Sequence, residues 1–256
     1  MAICCLFFFF LPGNSRAAQI WIAADKYEVE TGKSVNLSLG QGVSFPESYE
    51  LIFKKGLSFT HYRPDGTEEP LPLEPGSKVT YKAQVSLKTP GAHIFSASIK
   101  DFRLIKTGRG WMVAGRSTKA LGRSLTMNKF TKTLVSAGKG VSRFNKAIGQ
   151  SLEIVPLRDP GLLHPGDRLT VQVLFKGKPA EMQLLKATYA GYNRGGELVA
   201  AEKITDIRGK TTLVLTRPGT WFLYVFKVEK EKGRPRRRRG KKNIYESSLV
   251  FHLKGK

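Results

Sequence analysis

The chain has 256 residues, 41% of them hydrophobic, which is enough to fill one large or two ordinary cores and excludes disorder throughout. It carries 43 Lys and Arg against 20 Asp and Glu, a formal net charge of +23 that draws it to polyanions and anionic membrane surfaces. Both cysteines, Cys4 and Cys5, lie at the extreme N terminus, so the rest of the chain has no disulfide, thiolate nucleophile or cysteine-held metal.

Residues 1–17 hold an apolar block, Ala2 to Leu11, then a Pro-Gly break and small residues. The block is about half of the roughly 20 residues that a spanning helix needs, and Ser15 and Ala17 fit a signal-peptidase site. The expectation is a signal peptide and a periplasmic or secreted protein beginning at Ala18, whose mass an exported sample should show.

From Ile20 short runs of period-2 alternation are broken every eight to twelve residues by Gly, Pro or Asp. Strands are predicted around Tyr27 and Val29, at Val35 to Leu39, Tyr49 to Lys54, Lys78 to Leu87 and His93 to Lys100. Residues 18–102 read as an N-terminal antiparallel sandwich. Residues 103–148 read as a basic insertion: Arg103 to Lys146 holds eleven Lys or Arg and no acid. Thr107 to Met127 is expected to be a long surface loop, with a strand near 130–135 returning to the first domain.

Gly149 to Gly166 contains Pro156, Pro160 and Pro165. Proline cannot donate to a ladder, so this stretch reads as a stiff boundary. Beyond it about seven strands follow, among them Leu169 to Phe175, Leu185 to Tyr189, Leu198 to Ile204, Thr211 to Leu215, Trp221 to Val228 and Tyr245 to Leu253. The predicted fold is all-β: two tandem antiparallel β-sandwiches, immunoglobulin-like or prealbumin-like, joined by the basic insertion and the proline-rich hinge, the second spanning 149–256.

Catalytic signatures are missing. Gly32-Lys33-Ser34 matches the tail of a phosphate loop, but Tyr27 stands where its first glycine should be, so it reads as a turn. Glu68 and Glu69 read as a solvated turn rather than an acid/base pair. His61, His93, His164 and His252 are scattered, with no local chelate spacing. His93 shares parity with Phe95, Ala97 and Ile99 and reads as a sheet histidine, which leaves His61 and His164 as the metal-ligand candidates. The sharpest feature is the segment from Lys230 to Asn243, with nine cations and one acid at the tip of the last predicted hairpin. Lys230, Lys232, Arg234, Arg236, Arg237, Arg238, Arg239, Lys241 and Lys242 are the candidate polyanion contacts.

Several stretches together carry a resemblance. They are Gln19-Ile20-Trp21, Gly42-Val43-Ser44-Phe45-Pro46, Gly149 to Pro160 with its Leu-Glu-Ile-Val-Pro-Leu, Gly177-Lys178-Pro179, Thr205-Asp206 with Gly209, and Leu215 to Trp221. In this order the chain resembles the NikM-like periplasmic domain-of-unknown-function family associated with nickel uptake. That resemblance implies an exported accessory or binding component, a metal transporter of the inner membrane as partner, and nickel as the metal. The family carries histidines in an Ala-His-x-x-Trp and a Gly-His-x-Phe-Pro pattern, where imidazole suits Ni²⁺. Here the first reads Ala17-Ala18-Gln19-Ile20-Trp21 and the second has Val43, so neither holds a histidine. The expectation is a non-enzymatic protein without a resident cofactor. The alternative is an adhesin-like module binding anionic envelope polymers or a lipid surface, with export keeping it from nucleic acid.

Overall fold

The computed structural model describes residues 18–49, 56–77, 79–108, 110–114, 124–230 and 241–255. Apart from one 3-10 turn at Pro160–Leu162, all regular structure among them is β. In chain order the strands are β1 (Gln19–Ala24), β2 (Glu28–Val29), β3 (Ser34–Gly42), β4 (Leu57–Tyr62), β5 (Glu68–Pro70) and β6 (Glu74–Ser77). Then follow β7 (Thr80–Ser86), β8 (Gly91–Thr107), β9 (Gly110–Val113), β10 (Ser124–Ala137), β11 (Leu152–Pro156) and β12 (Arg168–Phe175). The last are β13 (Lys178–Pro179), β14 (Leu184–Tyr189), β15 (Ala201–Ile204), β16 (Lys210–Val214), β17 (Gly219–Lys230) and β18 (Lys241–Leu253).

One sheet of ten strands runs β15-β14-β17-β18-β10-β8-β4-β5, with β2 beside β10 and β9 beside β8. Two four-stranded sheets cover it: β1-β3-β7-β6, and β11-β12-β13 with β16 on β12. Alternation along the long strands assigns each cover to one face. Phe95 and Ala97 of β8 and Val135 and Ala137 of β10 pack with Ile22, Leu37 and Leu39 under the first small sheet. Their neighbours Ala92, Ile94, Phe130 and Leu134 point the other way, into the core shared by Ile154, Val171, Val173, Leu213, Leu223 and Leu249. The all-β sandwich fold is as predicted, and its two sandwiches share one central sheet.

Three expectations are corrected. The stretch read as a long surface loop, Thr107 to Met127, has strand at both ends and within it: β8 continues to Thr107, β9 follows, and β10 starts at Ser124 rather than near 130, while 109 and 115–123 lie outside the described residues. The alternation of β10 was hidden because Asn128, Lys129, Thr131, Lys132 and Thr133 are polar and nevertheless buried. Pairing is not wholly antiparallel, since β10 runs parallel to β18 from Ser124↔Lys241 to Thr133↔Val250, and β2 runs parallel to the end of β10. Finally, β4 was not foreseen, and Tyr49 lies outside any strand; the remainder of the strand expected there lies outside the described residues.

The two halves thus meet at more than a hinge. The Gln150 side chain donates to Ser96 Oγ and the Thr131 carbonyl at 2.9 and 3.2 Å, fixing the start of the proline-rich stretch to β8 and β10. Pro156 ends β11, and Asp159 caps the 3-10 turn by accepting from the Gly161 N–H. On the opposite side β1 lies across the seam: Ser248 Oγ is 2.7 Å from the Ile20 carbonyl and 2.8 Å from Thr131 Oγ1. Trp21 meets Phe45 and Phe222 edge-on at 5.4 and 5.8 Å, contacts worth about 0.5–1.5 kcal/mol each beyond the area they bury.

Candidate functional site

Strand order brings part of each basic segment to one end of the ten-stranded sheet, Arg103 and Lys106 from the first and Lys241 and Lys242 from the second, while Lys139, Arg143 and Lys146 follow β10 at its other end. The register places Lys230 directly opposite Lys242, and Lys241 beside Ser124, the first residue of β10. On the far side of β10, Ser124 faces Ile105 of β8, whose last residues carry Arg103 and Lys106. Lys242 is exposed. Of the remaining sequence candidates, Lys232, Arg234, Arg236, Arg237, Arg238 and Arg239 lie outside the described residues.

The metal candidates fare differently. His164 sits exposed in a turn, where its backbone N–H donates to Asp167 Oδ2 at 2.9 Å. His61, expected in a polar loop, is instead on β4 and 2% exposed, opposite Phe95 and stacked on it at 4.5 Å. The fold joins it to His93, 1% exposed: His61 Nε2 and His93 Nδ1 are 2.8 Å apart. His93 Nε2 donates to the Thr89 carbonyl at 2.8 Å, and His61 Nδ1 lies 3.3 Å from Glu69 Oε1. Glu69 is correspondingly not a solvated turn; it is on β5, opposite His61, and its other oxygen accepts from Arg63.

The protons of this chain can be counted. The Thr89 carbonyl only accepts, so His93 carries its proton on Nε2, and Nδ1 accepts from His61 Nε2–H. Two neutral rings supply two protons for three contacts, and the contact left without one is His61 Nδ1 to Glu69, which is also the longest. Burial pushes His61 down to about 4 and lowers His93 too, while the Arg63 guanidinium holds the Glu69 carboxyl below its usual range. Both rings are therefore neutral at neutral pH, with their nitrogens engaged with one another. Among the described residues no three His, Cys, Asp or Glu side chains converge as a metal centre.

Two buried ion pairs flank the seam, and neither was legible in the sequence. Lys132 Nζ is 2.6 Å from Glu153 Oε1, both groups essentially inaccessible, and burial lowers the Lys132 pKa. Lys129 Nζ is 2.6 Å from Glu246 Oε2 and also donates to the Ala18 carbonyl.

The sequence profile of a family described as a domain of unknown function, DUF4198, matches residues 15–228. The chain belongs to the DUF4198 family. No curated protein matches this DUF4198 member. Among solved structures it is similar to the D0-D1 domain of intimin, at 15% identity over 92% of this chain and 99% of that one, with a TM-score of 0.23. It is also similar to a DUF4785 family protein of Legionella pneumophila, at 12% identity over 80% of this chain and 50% of that one, TM-score 0.29. A third is Salmonella alpha-2-macroglobulin, at 11% identity over 91% of this chain and 14% of that one, TM-score 0.29. The DUF4198 member thus spans half the length of the Legionella chain and a small part of the Salmonella one.

Proposed function

We propose that this DUF4198 member is an exported, non-enzymatic component of the cell envelope that grips polyanions through the basic end of its central sheet. The observation that carries the reading is the parallel pairing of β10 with β18, which sets Lys241 and Lys242 beside the start of β10, with Arg103 and Lys106 of β8 across it. Arginine outnumbers lysine in the middle of the 230–243 segment, and a guanidinium forks phosphate or carboxylate in two-point fashion where an ammonium acts as a point charge. Binding is then fast and salt-sensitive, because exposed charges are screened beyond about 8 Å at physiological ionic strength. Replacing Arg236, Arg237, Arg238 and Arg239 by serine should leave the thermal midpoint nearly unchanged and lower the salt needed to elute the protein from heparin. Elution of that variant with the parent across the gradient would remove the polyanion reading.

The nickel-uptake role and metal-transporter partner implied by the resemblance come second. Residues 17–21 and 42–46 lack the family's histidines, and His61 is 2% exposed with its Nε2 bonded to His93. Calorimetric titration with Ni²⁺ should give no stoichiometric site of micromolar affinity. Such a site would restore the metal reading and make exposed His164 the first ligand to replace.

A further inference from the structure

The basic end of the central sheet is also apolar on one face. Val228, Ile244, Met127 and Phe102 stand opposite one another in register across β17, β18, β10 and β8. The next row is Lys242, Leu125, Leu104 and Val113, across β18, β10, β8 and β9. All eight therefore share one face, the same one that β1 covers further along, where Trp21 meets Phe222 and Ile20 packs with Ile99. β1 begins at Gln19, and the carbonyl of Ala18 just before it receives Lys129. Along this strip Phe226 is 44% exposed, Val228 43% and Val113 51%, while Ile244, Met127, Leu125 and Phe102 are half-buried and Leu104 is buried.

Charge borders this strip. Lys242 ends the second row, and Lys106 follows Leu104 two residues on along β8, on the same face. Glu246 is buried against Lys129, Glu229 is held by Lys176, and Asp101 sits exposed at the left-handed irregularity of β8.

We propose that this face lies on an anionic lipid bilayer, the apolar rows entering the boundary between headgroups and acyl chains and the cations meeting lipid phosphates. The proposal rests on the polyanion reading and names the polyanion. A hydrated polysaccharide would satisfy the cations and leave Phe226, Val228 and Val113 in water, whereas an anionic bilayer takes both. An apolar strip rimmed by cations has the composition of a surface-seeking element rather than of a solvated sheet end.

The test separates lipid from polymer. Phe226→Ser with Val228→Ser, and separately Val113→Ser, would be compared with the parent for co-sedimentation with vesicles of phosphatidylcholine and phosphatidylglycerol, and for elution from heparin. These side chains are already half in water, so the thermal midpoint should hold; Val113→Ser, on a different strand, keeps the test open if the double variant does not fold. Partitioning to the mixed vesicles should weaken roughly tenfold or more in the double variant, with heparin elution unchanged. Unaltered vesicle binding, or equal loss on vesicles and heparin, overturns the lipid assignment while the arginine variant still decides the polyanion reading. A concentration-dependent dimer that the double variant dissolves also overturns it and gives the strip to a second copy of the chain.

Discussion

Replacing Lys132 by methionine should destabilise the protein by about 3–5 kcal/mol, because it leaves an unpaired carboxylate in the interior. Lys132 is on β10 and its partner Glu153 on β11, so the pair links the central sheet to the small sheet of the C-terminal half. Glu153 does more than balance the ammonium: it accepts the backbone N–H groups of Ile148, Gly149 and Gln150 at 2.8, 3.1 and 3.2 Å. An ordinary buried pair can be exchanged for two apolar residues at little cost, or even with gain. Here that exchange should fail, since Lys132→Met with Glu153→Met removes the acceptor of all three donors, and the buried one at Gln150 alone costs about 1–3 kcal/mol when stranded. Lys132→Met with Glu153→Gln, which keeps an acceptor, should be the more stable double variant. Urea unfolding of the three variants checks the order; a fully recovered Met/Met protein would show that the loop does not depend on the carboxylate.

The second large effect is acid destabilisation through the His61–His93 pair. Both rings titrate lower in the folded chain than in the unfolded one, His61 at about 4 against 6.5. As pH falls below 6.5 the unfolded chain takes up protons first, so stability present at neutral pH is lost progressively until the folded ring also protonates near 4. Over that window His61 alone accounts for roughly 3 kcal/mol. Glu69 adds its own loss at lower pH, because its carboxyl is held below 4.5 in the folded state. Unfolding free energies measured at intervals from pH 7 to 4 should fall steeply for the parent and less steeply for His61→Phe. Parallel slopes would show that His61 is not the group responsible.

Local pattern carried much of the architecture and little of its wiring. Leu169 to Phe175 and Trp221 to Val228 alternate as half-buried strands should, and lie in β12 and β17. Leu57 to Tyr62 was missed because Ser58, Thr60 and His61 look like loop residues, although His61 points into a core. Alternation also fails along β10, where Lys129 and Lys132 are buried cations whose partners, Glu246 and Glu153, lie 117 and 21 residues away. No short-range signal announces a carboxylate that far along the chain. The pairing of His61 with His93, 32 residues apart, is hidden for the same reason. The basic end was half legible: the sequence shows two cation-rich segments, and only strand order shows that Lys241 and Lys242 of one lie beside the start of β10 within the other.

The parallel seam also sets an order of events for a chain made from its N terminus. β8 is at hand when β10 forms, but β18 is the last strand to be synthesised. Until it arrives, one side of β10 is an open row of hydrogen-bonding groups, the kind of border that recruits foreign strands. Lys129 and Lys132 stand on that border, and a charged lysine is among the side chains that make strand addition unfavourable. The same two ammonium groups are later neutralised, when Glu153 and then Glu246 come to them. Each lysine thus guards an unfinished edge before it becomes part of a closed interior.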